Sequence, residues 1–290
     1  MFCVRFNSFF TMSNVKILVC CHKKDLFKRS MTYMPIHVGK TLSSEDLNII
    51  GDDTGDNISR KNPSYCELTG MYWAWKNLKD VDFVGLCHYR RYFDFNHYGS
   101  KWSPVTTVKT ELFDEVDTEI DESSIHFLIN GGVIMAKPLH LVTSSYYQYC
   151  EWHHGKDMRL LLDVIRRTQP SKYVSAFYET IFHSNIFRPY NMFVMKWEQF
   201  DRYCNWIFPI LEMMEKGIDV TGYTQYQKRI YGYVAERLLN LYIAAEKLRI
   251  KDVPIIKFSD DLEVNDKSML KFYLKSYIRD FSFKVLTHAM

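Results

Sequence analysis

The run DFVGLCHYRRYF, residues 82–93, ends a short apolar stretch with His88, Arg90 and Arg91, set among Tyr89, Tyr92 and Phe93. Phe83 to Cys87 has the pattern of a strand covered on both faces, so the cluster stands at the end of a buried strand. Cations placed there need partners, because an unpaired buried ion costs several kcal/mol. Arginine recognises phosphate in a planar, bidentate way, and histidine adds a donor. The chemistry on offer at His88, Tyr89, Arg90 and Arg91 is a diphosphate clamp. The alternative is ion pairing with structural carboxylates such as Glu67 or Asp94.

Two further groups carry reactive side chains. The loop GDDTGDN, residues 51–57, holds Asp52, Asp53 and Asp56 around Gly55. Hard oxygens grouped this way suit Mg²⁺ or Mn²⁺, or ribose hydroxyls; a solvated Asx-turn loop is the alternative. Near 223–249, Arg229 and Glu236 stand seven residues apart, on nearly one helix face and roughly 10 Å from each other. Tyr226 and Tyr233 share that side. A carboxylate beside aromatic surface has a raised pKa and suits a general base; an ion pair with Arg237 is the competing role.

Several other features fit structural roles. Glu67 fits a capping box with Ser64, Trp73 and Trp75 fit a core, and the paired histidines of EWHHGKD fit a surface. No GxSxG, Walker A, GxGxxG or HExxH motif occurs.

The elements that must hold these groups follow from periodicity. VKILVCCH (15–22) reads as a buried strand, and MPIHVGK and LNIIG as short strands or edges. Residues 64–78 place Tyr65, Leu68, Tyr72, Trp75 and Leu78 at helical spacing behind Pro63. Strand, loop, helix and strand in that order imply an α/β organisation with parallel pairing. Residues 94–123 read as a long surface loop, and 125–138 as a hairpin turning at Asn130-Gly131. Helices are expected at 139–152, 157–168, 171–183 and 197–217, with a strand at 191–195 and a long helix from 223. In that helix Ile230, Val234, Leu238 and Leu241 form the apolar stripe.

The chain has 290 residues, 47% hydrophobic, 16% aromatic and 24% charged, with a net charge of +3. That describes a globular protein with charge too balanced for nucleic acid as the main partner. Seven cysteines without metal-ligand spacing fit a reducing, cytoplasmic setting. No apolar run reaches the ~18 residues of a membrane span. Residues 1–13 read as a loose extension with Met12 as a possible start, 14–258 as the main domain, and 259–290 as a basic tail. In that tail Lys267, Lys271, Lys275 and Arg279 border an apolar stripe over 266–286, suited to an anionic membrane surface or to packing on the domain.

The segments ILVCCHKK, DDTGDNISRKNPSYCELTGMYWAWKN, DFVGLCHYRRYF, YNMFVMKWEQFDRYCNWIF and YQKRIYGYVAERLLNLY, in this order, resemble a family of bacterial capsular and O-antigen polysaccharide glycosyltransferases. The family was long filed as a domain of unknown function and is similar to the galactofuranosyltransferase module of a bifunctional O-antigen polymerase. The resemblance implies a GT-A-like, Rossmann-type fold with a helical C-terminal portion. It implies transfer of a sugar, galactofuranose as the first guess, from a UDP-sugar to a polysaccharide or undecaprenyl-linked oligosaccharide at the inner face of the membrane. A non-catalytic nucleotide-sugar or glycan-binding module is the rival reading.

Many GT-A enzymes place an Asp-x-Asp metal motif where His88-Tyr89-Arg90-Arg91 stands here. No metal or other cofactor is therefore assigned, Mg²⁺ or Mn²⁺ remaining an alternative. Asp53, Asp56 and Asn57 are then expected on the nucleotide or sugar. Glu236 is the first candidate base for an inverting transfer and Asp201 the second. Arg229 and Asn191 are expected to position acceptor or phosphate.

Overall fold

The computed structural model describes residues 13–100 and 102–260, together with Ile278 and Phe283. Nearly all of the extension 1–13, and the tail stripe over 266–286 apart from Ile278 and Phe283, lie outside the described residues.

Alternating small and branched apolar residues build a 10-stranded mixed sheet. Its strands are β1 (Val15–Cys21), β2 (Tyr33–His37), β3 (Ile50–Gly51), β4 (Phe83–His88), β5 (Arg91–Phe93), β6 (Val105–Val108), β7 (Val133–Ala136), β10 (Phe193–Lys196), β11 (Ile250–Val253) and β12 (Ile255–Phe258). β8 (Leu139–His140) and β9 (Ile186–Phe187) pair separately. The main order is β11-β7-β10-β4-β1-β2-β3. β1 runs parallel to β2 and β4, as the alternation of strand and helix requires, whereas β10 is antiparallel to both β4 and β7. β12 pairs with β5 and β6 and extends the sheet beyond β4.

Period-two alternation assigns the faces. Leu18 and Cys20 of β1, Val84 and Leu86 of β4, and Phe193 and Met195 of β10 share a core with the helices. Those helices are α1 (Asn62–Tyr65), α2 (Leu68–Asn77), α4 (Ser145–Trp152), α5 (Gly155–Thr168), α6 (Ser171–Phe177), α7 (Trp197–Gly217) and α8 (Ile230–Ala245). Ile17, Val19, Phe83, Cys87 and Val194 face the other way, onto Tyr92, Phe93, Ile256, Phe258 and Leu128 of α3 (Glu122–Ile129). Each such Leu, Ile or Phe contributes about 1.5–3 kcal/mol on burial. On α8, Ile230, Val234, Leu238 and Leu241 are all fully buried, so the expected stripe is the packed one.

Four expectations are corrected. The helix over 64–78 is two helices, because Cys66 adopts φ 52 and ψ −131 between α1 and α2. The Ser64–Glu67 capping box is not formed; Ser64 Oγ donates to Lys61 O instead. The hairpin at 125–138 is helix α3 followed by β7: Ser124 and Leu128 are buried at helical spacing, and the run IHFLI is too short for its period to separate strand from helix. The loop 94–123 contains β6, held by β12 rather than by any local pattern.

Gly85 lies at the centre of the sheet, where a Cβ would stand 2.8 Å from Phe193 O and 2.9 Å from Val194 Cγ2. Backbone on the neighbouring strand cannot yield cheaply. Gly85→Ala is therefore expected to lower unfolding free energy by about 1–3 kcal/mol in urea melts; wild-type stability would contradict this packing.

Candidate active site

Val84, Leu86 and His88 occupy one face of β4, so the alternation that packs the core also points His88 into the cleft beneath α8. The chain then turns back at Tyr89-Arg90, and His88 stands directly opposite Arg91 of β5. Arg91 in turn stands opposite Lys257 of β12. Residues directly opposite in antiparallel strands share a face, so His88, Arg91 and Lys257 form one row across three strands. The cleft above them has a volume of about 710 Å³.

The members of this cluster differ in what they have free. Arg90 is committed to Asp25, with Nε at 3.0 Å and Nη2 at 2.7 Å from Oδ2. Its structural carboxylate is thus Asp25, not Glu67 or Asp94; Asp94 instead accepts the Tyr98 and Gly99 N–H groups. Tyr89 packs edge-on against His22, at 5.4 Å between ring centroids. The His88 Nε2 atom is 2.8 Å from Tyr190 O, which only accepts, so Nε2 carries a proton. Burial pushes the His88 pKa down, opposed by Glu67. His88 is thus a neutral imidazole that fixes the Tyr190 backbone. Arg91 lies over the Tyr190 ring, 4.7 Å from its centroid, and its buried Nε has no hydrogen-bond partner. Among the described residues no carboxylate pairs with Arg91 or Lys257, and like charges facing each other across strands repel.

The opposite wall is α8 with the break between α1 and α2. Gly232 lets the two approach closely, since a Cβ there would lie 3.1 Å from Cys66 Sγ. Cys66 holds a left-handed φ that costs a side-chain-bearing residue of order 1–3 kcal/mol. The turn it makes delivers Glu67 to the cleft. Tyr190 and Asn191 also take positive φ, 76° and 53°. Their purpose is visible in the hydrogen bonds: Tyr190 N–H donates to Glu236 Oε1 at 3.0 Å, and Asn191 Nδ2 donates to Glu67 Oε1 at 2.6 Å and to Gly232 O at 3.1 Å. One strained dipeptide therefore positions both carboxylates of the cleft. Arg229, the helix-face neighbour expected beside Glu236, donates from Nε to Cys66 Sγ at 3.3 Å.

Glu236 is 15% exposed at its side chain. Burial raises its pKa to about 7; Arg237, whose Nη1 is 3.3 Å from Oε2, opposes the rise, and Glu67 adds to it. Arg237 is itself buried and is held by Tyr233 O and Gln148 Oε1. The two roles weighed for Glu236 are thus both present, an ion pair and a carboxyl that titrates near neutrality.

Other expected residues lie elsewhere. Asp53, Asp56 and Asn57 do not line the cleft. Asn57 Nδ2 donates to Asp53 O and Gly55 O, and Asp56 Oδ1 accepts from Tyr72. Asp52 is buried and accepts from Gly39 N–H, Lys40 N–H and Ser59 Oγ, so its carboxylate ties the loop to the turn after β2 rather than standing in solvent. Asp201 accepts from Trp75 Nε1 at 2.7 Å and anchors α2 to α7. Asn191 is present, as a buried positioner of Glu67. Glu67, Tyr190 and Lys257 were not expected. The Tyr-Asn dipeptide is the one sequence signal that could have found a left-handed turn, because asparagine tolerates that region.

Among the described residues no three His, Cys, Asp or Glu side chains are grouped for a metal. Glu67 and Glu236 are each occupied by donors, while the strand ends present guanidinium and ammonium groups.

Glu236 is expected to titrate with a midpoint near 7 when its carboxyl is followed by ¹³C NMR. Arg237→Gln removes the cation that favours the charged form and moves the midpoint upward. A midpoint in the ordinary carboxylate range, or no shift on substitution, would contradict this electrostatic account.

Residues 16–247 match a family described as a domain of unknown function, DUF4422. No curated protein matches the chain. Among solved structures it is similar to the apo structure of the WbbM bifunctional glycosyltransferase, with 31% sequence identity and a TM-score of 0.78. The match covers 86% of this chain and 46% of that one, so this chain spans less than half of the larger protein's length. The mixed sheet, parallel along β4-β1-β2-β3 with helices packed on its face, is the GT-A-like arrangement that the resemblance implied. By the extent of the family match, the chain is a member of the DUF4422 family with a GT-A-like glycosyltransferase fold.

Proposed function

We propose that the cleft transfers a glycosyl group from a nucleoside-diphosphate sugar to a hydroxyl of a glycan acceptor. The observation that carries the proposal is the juxtaposition of an unpaired cationic row, Arg91 and Lys257 with Arg229 across the cleft, and a buried carboxyl titrating near neutrality, Glu236. The first group suits a leaving diphosphate and the second a proton-accepting base. The similarity to a bifunctional glycosyltransferase supports the same reading.

In this mechanism the acceptor oxygen attacks the anomeric carbon as its proton passes to Glu236. The bond from that carbon to the diphosphate oxygen breaks, and its electron pair remains on the diphosphate. Arg91, Lys257 and Arg229 stabilise the charge developing there. Attack from the face opposite the leaving group inverts the anomeric centre. Tyr190, fixed by His88, holds Glu236 through its N–H and supports the Arg91 guanidinium through its ring. The chain's own cations do the work that a divalent ion does in many enzymes of this fold class. UDP-galactofuranose is the first donor to test, with polysaccharide or undecaprenyl-linked oligosaccharide as acceptor.

A panel of UDP-sugars, read by released UDP and then by product linkage, tests the reading. Arg91→Ala is expected to lower kcat/KM by about 10²-fold or more, and Glu236→Gln to remove the base. With wild type, kcat/KM should rise through pH about 7 and level above it, since the base acts in its deprotonated form. Activity should persist in EDTA. Complete loss restored by Mn²⁺ would overturn the cationic mechanism, and donor binding without turnover across the panel would replace the enzyme with a binding module.

A further inference from the structure

The paired histidines of EWHHGKD are not a surface feature: His153 is only 7% exposed and lies within a cluster of rings. Its ring stacks on Tyr149 at 4.7 Å and on Tyr226 at 5.2 Å, and lies 4.4 Å from Tyr233. Neither ring nitrogen has a hydrogen-bond partner. Around it runs a continuous strip. Trp152, 61% exposed, stands 6.4 Å from Tyr226, which is 44% exposed; Tyr226 stands 5.2 Å from Tyr233. Tyr233 lines the cleft and lies one helical turn before Glu236, beneath the Arg229 guanidinium at 5.5 Å.

We infer that this strip is the acceptor subsite, a track on which the sugar rings of an oligosaccharide stack as its terminal hydroxyl reaches Glu236. The inference rests on the transferase reading and adds to it the place and chemistry of acceptor recognition. Three observations favour a glycan as the occupant. Exposed tryptophan and tyrosine rings that step from solvent into a cleft present flat apolar faces with polar edges, which match the C–H face and hydroxyl rim of a pyranose or furanose. The strip meets the cleft on the α8 wall beside Glu236, whereas the unpaired row of Arg91 and Lys257 lies on the sheet wall. What arrives along it therefore reaches the base on the wall that also carries Arg229, across the cleft from Arg91 and Lys257. His153 lies under Tyr226 with both ring nitrogens buried and partnerless, and a sugar hydroxyl that displaces the edge of the Tyr226 ring offers one of them a partner.

Trp152 and Tyr226 are exposed enough to be replaced without opening the core. The test compares wild type with Trp152→Ala/Tyr226→Ala, and with Tyr226→Phe, which keeps the stacking face. Galacto-, gluco- and manno-tetrasaccharides are titrated calorimetrically, and acceptor kinetics are measured with whichever binds. The expected result is a rise in acceptor Kd and KM of about tenfold or more in the double variant, with Tyr226→Phe within about twofold of wild type. Wild-type affinity in the double variant, or no tetrasaccharide binding by wild type, overturns the subsite. A rise in donor KM with acceptor KM unmoved also overturns it, assigning the strip to the donor's base. Failure of the transferase reading is distinguishable, since wild type then releases no UDP from any donor whatever the calorimetry shows.

Discussion

Desolvating the Glu236 carboxyl is the constraint around which the cleft is arranged. A buried carboxylate is costly unless it is paired and hydrogen-bonded, and Glu236 receives one of each: Arg237 on Oε2 and the Tyr190 N–H on Oε1. Each supporter needs support in turn. Tyr190 must take a left-handed backbone, and His88 fixes that backbone by donating to its carbonyl. Arg237 must be buried beneath Tyr149 and Phe187, with Gln148 and a helix carbonyl to take its protons. Burial still wins over these contacts, and the carboxyl is left near the pKa at which it can exchange a proton at neutral pH.

The sheet supplies the opposite sign of charge. A tight β4–β5 turn puts His88 beside Arg91, and the late strand β12 adds Lys257 to the row. Two cations facing one another across strands destabilise the folded state unless an anion joins them. Strained backbone at Cys66, Tyr190 and Asn191 concentrates in the same place. Strained backbone and unrelieved charge thus coincide in the cleft, each at a cost to stability.

Much of this was legible in the sequence because it follows from period. The strands expected at 15–22 and 83–87 are β1 and β4, and the helix expected at 197–217 is α7. The long helix expected from 223 instead begins at Ile230, with Arg229 in the 3-10 turn before it, and Arg229 and Glu236 both line the cleft. The cluster at 88–91 was found because charges beside a buried strand are conspicuous. What escaped depended on long-range pairing or on single dihedrals. Lys257 belongs to the site only because β12 crosses to β5, about 165 residues away in sequence, which no local pattern announces. Glu67 was hidden by a capping-box spacing that the Cys66 turn prevents from forming. The acidic loop at 51–57 drew attention by composition alone; its Asn57 amide serves its own turn, while Asp52 and Asp56 tie the loop to Gly39, Lys40, Ser59 and Tyr72. His153 reads as polar in sequence, and its burial comes from rings contributed by two separate helical segments.

The central claim is that the unpaired cations of the cleft exist for a diphosphate. It is tested most directly by calorimetric titration of wild type and an Arg91→Ala/Lys257→Ala variant with UDP and with uridine. The account predicts that UDP binds wild type roughly a hundredfold more tightly than uridine, as charge-assisted bonds to phosphate require, and that the variant loses most of this difference. Equal affinity for UDP and uridine, or an undiminished preference in the variant, would contradict it.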